Sequence, residues 1–301
     1  MSIVSEQLST GKQAGRTPAA PRRRNWLRLW GRFGQYVALV GYIVFLGFPL
    51  LWLLSTAFKS PQELAKLTPT LFPVDWTTEN FRIAFEQTQL PQALLNSLIV
   101  AASTAVVTTV IAMPAAYALA RLRSVVRTVS VGWILVSQIF PFILIVIPVF
   151  VLLNNLGLLN TLTGLVVVYV VWALPFTLWM LMGYVSAIPK ELEEAAAMDG
   201  ASKLNILARV VFPLLLPGIV ATGMFAFISA WNEFFFALVI ITDPAKETAP
   251  LLLARYVGAE GSVNLGPLAA TALLTTLPSL LIFSIAQRKL VAGIMSGSVK
   301  G

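Results

Sequence analysis

The sequence predicts an all-α membrane protein, a bundle of six transmembrane helices with both termini in the cytoplasm. Three observations lead there. Of 301 residues, 57% are hydrophobic and only 11% charged, where a soluble domain carries about a quarter charged. Charge-free windows recur at the roughly 20-residue length that a helix needs to cross hydrocarbon. Lys and Arg crowd into alternate connections between those windows, the pattern that orients a bundle. A mean hydropathy of +0.82 agrees.

The first window runs from Phe33 to Phe58, between Arg32 and Lys59. Residues 1–32 before it form a basic tail. Its first part, Met1 to Pro21, is rich in Ser, Thr, Gly, Ala and Pro and is expected to be disordered. The apolar run after the arginines is too long for the core of a cleavable signal peptide. Trp26 and Trp30 suit the inner interface. A polar external loop follows from Lys59 to about Gln92, with a short amphipathic helix expected near Asn80 to Phe85. The second window is Gln87 to Ala120. The stretch Thr128 to Pro189 holds 62 residues without a charge, enough for two spans joined at the polar break Asn154 to Thr161. The fifth span runs from about Val211 to Thr242 with Glu233 inside it, and the sixth lies between Glu260 and Arg288. Residues 92–288 thus form the five-helix core, and 289–301 a C-terminal tail.

Sixteen of the 21 Lys and Arg fall on one side of this arrangement. They lie before the first span, after the second, after the fourth and after the sixth. Lys59, Lys66, Arg82, Lys246 and Arg255 make up the other side. Basic residues mark the cytoplasmic side, so the net charge of +8 reads as topology and not as a nucleic-acid arm. The chain has no Cys and no His. That removes disulfides, thiolate nucleophiles, imidazole bases and the commonest zinc ligands, and with them metalloenzyme and Ser-His-Asp chemistry. No catalytic residue and no metal ligand set is expected.

The connection between spans four and five, residues 189–210, is the most informative stretch. Pro189 suits a first helical position. Glu191, Glu193 and Glu194 follow in the first turns, where the helix dipole favours acids. Ala195 to Ala197 are strong helix formers. Gly200 is placed to end the helix at positive φ, and Ser202 to cap a second helix running to about Val211. The small alanine face lets another protein's surface approach, with acids around it to pair with basic groups.

Glu194-Ala195-Ala196, three residues, Gly200, nine residues, then Val210-Val211-Phe212-Pro213 resembles the Glu-Ala-Ala loop of ABC importer permeases. That family's pattern ends in Ile, any residue, Leu, Pro; here Val210 and Phe212 replace the Ile and Leu. Ala230-Trp231-Asn232-Glu233-Phe234 in span five and Ala115 to Arg121 at the end of span two are similar to maltose-type sugar permeases. The tail Gln287 to Gly293, ending Gly297 to Gly301, resembles the smaller of the two maltose-type permease subunits. The resemblance covers about Phe33 to Gly301. It implies the ABC importer type I permease fold, in which this loop is the helix that docks on a cytoplasmic ATPase. Glu194, Ala195, Ala196, Asp199, Gly200 and Pro213 are then the ATPase-coupling residues. It also implies a second, different permease subunit, two ATP-binding subunits that use ATP and Mg, and an extracytoplasmic solute-binding protein that delivers a di- or oligosaccharide. No P-loop is present in this chain, so no cofactor is expected on it.

Glu233 is the only charge inside a span, where an ionisable group is expensive unless paired or wet. Two readings stay open. It lines the substrate path with Trp231 and Asn232, or it pairs with a neighbouring subunit near the outer surface. Gln138 in span three is a weaker path candidate, better suited to a helix–helix hydrogen bond. Alternatives to sugar import are an ABC permease for another solute such as glycerol phosphate, or a proton-coupled secondary transporter.

Overall fold

The computed structural model describes residues 24–121, 125–257 and 263–297, with side chains over 32–121, 125–257 and 263–285. Met1 to Pro21, Arg123, Glu260 and the final residues of the tail lie outside it, as do the side chains of Trp26, Trp30 and Gln287 to Gly293. The chain divides at Leu51–Trp52 into two units. Over its described residues the first is helix alone, the greater part of α1 (Arg24–Ala57). That helix begins well before the apolar window does. Arginine is a good helix former, so the charges at Arg24, Arg28 and Arg32 end the apolar window without ending the helix.

The second unit opens with a braced loop. It contains α2 (Pro61–Leu64) and α3 (Glu79–Glu86), the latter where an amphipathic helix was expected. Ser60 caps α2. Glu63, buried, accepts from the Thr70 hydroxyl at 2.5 Å and from the backbone N–H of Val74 and Asp75 at 3.0 and 3.3 Å. Lys59, also buried, donates to the Thr70 carbonyl and lies over the Trp52 ring. Asn80, with no exposed surface, donates to the carbonyls of Ala57 and Lys59, both at 2.9 Å. These groups serve backbone that no helix or strand satisfies.

The centre of the unit is α4 (Leu90–Arg121), α7 (Leu162–Ala187) and α10 (Phe212–Trp231), packed on one another. Along α4 the buried residues Ala93, Ser97, Ala101, Thr104, Thr108, Ala112 and Ala116 recur every three or four positions. That is one face of a helix. Small side chains there let backbones approach closely, the usual solution where lipid supplies no hydrophobic drive between helices. α7 and α10 approach closely at Gly218, where a Cβ would sit 2.5 Å from the Tyr184 ring. The polar Asn96–Ser97 pair ties α4 to the 243–249 loop: the Asn96 amide donates to the Ala245 and Glu247 carbonyls, and the Ser97 hydroxyl accepts from Ala249 N–H at 2.8 Å.

Two spans are broken where the sequence was read as continuous. The third is α5 (Val125–Ile139) and α6 (Phe142–Asn155), bent by 99° at Phe140–Pro141. Proline lacks an N–H and drives the residue before it out of the helical region. Each half is about 21–23 Å long at 1.5 Å per residue, short of the ~30 Å hydrocarbon core. The fifth ends at Trp231 and resumes as α11 (Phe235–Ile240). Before it come α8 (Glu191–Met198), α9 (Lys203–Ile206) and a π-helical turn, Leu207–Val211, that runs straight into α10. In that turn the Phe212 N–H reaches back to Leu207. The wider turn makes room for the Pro213 ring over the Arg209 carbonyl, which a proline in a regular helix would strike. A 3₁₀ turn (Pro244–Lys246), α12 (Ala249–Ala254) and α13 (Leu265–Gly297) complete the chain. α13 continues past Arg288, so the expected boundary at 288/289 is not a helix end. Among the described residues five helices are long and apolar enough to cross a bilayer, and the bent pair makes six if it is one broken span.

The Thr70 hydroxyl, with the Val74 and Asp75 amides, holds the Glu63 carboxyl below its ordinary value of 4.5, against a raising contribution from burial. A lowered folded value means stability that is fully present above pH 4.5 and lost as pH falls below it through the lowered folded value. Limited proteolysis of the purified chain is expected to leave the 59–78 loop intact above pH 5 and to cut it below pH 4. Glu63→Gln is expected to abolish that pH dependence and leave the loop sensitive throughout.

Candidate functional site

At the end of the bundle where α4 and α7 finish and α10 begins, the α8 connection stands clear of the packed helices. The local sequence dictates its shape. Lys190 takes the N-cap position, so the helix starts at Glu191, two residues after Pro189. Three acids fill its first turn, where the helix dipole favours them. At the other end Gly200 has φ +82°. Its N–H bonds to the Ala197 carbonyl and that of Ala201 to the Ala196 carbonyl, both at 3.0 Å, the paired bonds of a Schellman ending. Ser202 then accepts from Asn205 N–H and starts α9.

No α8 side chain is buried. Glu191, Glu194, Ala195 and Met198 share the outward face, Met198 at 88% exposure. Asp199 and Gly200 extend it. Ala196 is half-buried and packs on the apolar cluster of Ala116, Leu181, Val185 and Leu215. Of the six residues expected at this site, Glu194, Ala195, Asp199 and Gly200 therefore form a continuous exposed patch. Ala196 seats the patch, and Pro213 lies behind it, at the start of α10. The patch, about 12 Å long, sets Ala195 and Met198 among the carboxylates of Glu191, Glu194 and Asp199, all exposed.

The residue that sequence reading missed is Glu193. It turns inward and accepts from the Tyr117 hydroxyl at 2.8 Å and from Arg121 Nε at 2.8 Å. Arg121 also donates to the Ile188 carbonyl at 3.0 Å. The only sequence signal was the four-residue spacing of Tyr117 and Arg121, which puts both on one face of α4.

The second candidate set is dispersed. Trp231 is 4% exposed and stacks on Phe227 at 5.7 Å, so its ring faces the chain's own core, not an open path. Asn232 is exposed and donates to the Ile228 carbonyl at 2.9 Å. Glu233 does not sit inside a helix. It occupies the break after Trp231, accepts from the Phe236 and Ala237 N–H groups at the start of α11, and takes the Tyr169 hydroxyl at 2.6 Å. Of the two readings left open for it, lining a path or pairing with another subunit, neither is needed to satisfy the charge, which is held within the chain. Gln138 is exposed on α5, beside the bend, and far in sequence from the other three.

Comparison with known proteins finds matches over most of the chain. The family described as the binding-protein-dependent transport system inner membrane component matches residues 108–295. The diacetylchitobiose uptake system permease protein DasC of Streptomyces coelicolor is 37% identical, over 91% of this chain and 99% of its own. The trehalose/maltose transport system permease protein MalG of Thermococcus litoralis is 34% identical, over 84% of this chain and 91% of its own. The fold also matches a chain in the structure of a bacterial ABC transporter involved in the import of the acidic polysaccharide alginate. There the TM-score is 0.74 at 23% identity, over 90% of this chain and 99% of that one.

Gly200 has open space where a Cβ would sit, so the cost of Gly200→Ala is that of the backbone conformation alone, about 1–2 kcal/mol. Hydrogen exchange at the Gly200 and Ala201 amides is expected to accelerate roughly five- to thirty-fold, with α4 and α7 unaffected.

Proposed function

The chain belongs to the binding-protein-dependent transport system inner membrane component family, a multi-pass cytoplasmic-membrane protein, and we propose that it is one permease subunit of an ABC importer for a di- or oligosaccharide. The observation that carries the reading is the α8 patch: Glu194, Ala195, Asp199 and Gly200 are exposed together, at the motif spacing, on a helix fixed to the bundle from behind. Relatives named for diacetylchitobiose and trehalose/maltose uptake supply the carbohydrate class.

In this reading both termini and α8 face the cytoplasm of a bacterium or archaeon. Two partner subunits bind and hydrolyse ATP with Mg, and one receives α8 in a groove with basic groups. A second permease subunit completes the path, and an extracytoplasmic binding protein delivers the sugar. This chain makes and breaks no bonds. Closure of the ATPases on ATP moves α8, and the helices fixed to α8 carry that motion across the bilayer, opening the path to the outer side. Hydrolysis returns them. The sugar path runs past the breaks in the third and fifth spans, with Asn232, Glu233 and Gln138 near it and Trp231 holding the break from inside. At those breaks polar groups lie at membrane depth, and such backbone is tolerated only beside protein or water.

Membrane vesicles prepared with the whole transporter test this. Uptake from a panel of labelled disaccharides, with the binding protein present, is expected to require ATP and to survive a protonophore. Glu194→Arg is expected to lower uptake about tenfold or more, through repulsion from basic groups on the partner, without loss of membrane insertion. Uptake that needs no ATP and collapses with the protonophore overturns the reading in favour of a proton-coupled carrier. Uptake of glycerol phosphate alone overturns the sugar.

A further inference from the structure

We infer that Tyr117, Arg121 and Glu193 form a latch that makes α8 move as one body with α4. The inference rests on the reading of α8 as the docking helix, and it names the residues that position that helix. Neither Glu193 nor Arg121 belongs to the exposed patch.

The attachment of α8 is otherwise thin. None of its side chains is buried, and only Ala196 packs on the apolar cluster beneath it. At its C-terminal end the chain turns through Gly200 at positive φ, and at its N-terminal end it leaves α7 through Ile188 and Pro189. A short helix held by one alanine and two turns would tilt when pushed. The latch blocks that tilt. Arg121 is the last residue of α4, and its guanidinium bridges both ends of the entry to α8. It donates to the Ile188 carbonyl before the helix and to Glu193 within it. Tyr117, one turn earlier on the same face, donates to the second carboxylate oxygen. Two fixed donors on α4 holding both oxygens of one carboxylate leave α8 little freedom to rotate.

Its place in the fold sets this pair apart. The other ion pairs among the described residues join positions no more than eight apart, on one helix or one loop. Arg121–Glu193 joins positions 72 apart. Both its side chains are mostly covered, at 15% and 14% exposure. At that burial the pair is screened less than a surface one. Breaking it strands a charge away from water, so the two elements stay together or separate at a cost. The element it grips is the helix packed on both α7 and α10. A push on α8 therefore enters the centre of the bundle directly through α4, and not only along the chain through the π turn into α10.

The absence of cysteine makes the test direct. Spin labels are placed on Leu95→Cys, exposed on the far part of α4, and on Leu192→Cys, exposed on α8 outside the patch, in the whole transporter. Electron–electron distances are measured without nucleotide and with ATP plus vanadate. The latch predicts one narrow distance distribution that is the same in both states. Glu193→Gln and Arg121→Gln are expected to widen it at least twofold, Tyr117→Phe to widen it less, and the exchange Arg121→Glu with Glu193→Arg to narrow it again. A Glu193→Gln distribution as narrow as the parent's overturns the proposal, and so does a parent distance that shifts with nucleotide. ATP hydrolysis by the unlabelled parent is read in parallel. If the parent carries no ATPase activity, the importer reading fails instead, while the widths in the nucleotide-free state still decide the latch.

Discussion

In a hydrocarbon medium a backbone N–H or C=O without a partner costs several kcal/mol, and the rest of this structure follows from that constraint. It makes the apolar windows helical and leaves the interesting chemistry to the places where a helix stops. Several stops inside the apolar windows carry their own remedy. Glu233 accepts from the first free N–H groups of α11. Thr161 caps α7 by accepting from Gly164 N–H at 3.0 Å. Asn160, with φ of 56°, accepts from Thr242 and Asp243 N–H groups and so joins the ends of α6 and α11. The π turn before Pro213 leads without a break into α10, its Phe212 N–H bonded to the Leu207 carbonyl. A charge at membrane depth is thus no anomaly here; Glu233 does the work of a cap with a Tyr169 hydroxyl as its counterpart.

Outside the apolar windows the same groups are spent differently. The 59–78 loop uses Lys59, Glu63 and Asn80 to tie irregular backbone to itself. The α8 connection uses Arg121, Tyr117 and Glu193 to hold a helix that buries almost nothing. The consequence is a division of labour along eight residues. One face of α8 is left exposed, and the opposite face carries the one long-range ion pair found among the described residues. In the proposed reading, motion received on the first face is delivered through the second. An exposed patch on an unanchored helix could bind a partner, but it could not transmit anything.

Much of the fold was legible because it depends on local pattern. Charge-free windows located the spans, Gly200 and Ser202 marked the ending of α8 and the start of α9, and the amphipathic stretch from Asn80 to Phe85 marked α3. What was missed depends on geometry between distant residues or on strain resolved locally. Pro141 is one of several prolines in the apolar windows, and only packing decides that it bends the chain by 99° while Pro114 stays inside a continuous α4. Trp231 reads as a ring for a sugar, yet Phe227, one turn earlier, already covers it. Glu193 was read as one of three acids favoured by the helix dipole. Its partners lie 72 and 76 residues away, and no spacing rule reaches that far.

The account stands most directly on what α8 touches in the assembled protein. A photoreactive amino acid placed at Ala195, in the middle of the bare face, would be activated in intact cells and its cross-links identified by mass spectrometry. The account predicts a single dominant product, a cross-link to a chain that carries a P-loop ATPase motif. Cross-links to lipid alone, or to a protein without a nucleotide-binding fold, would contradict it.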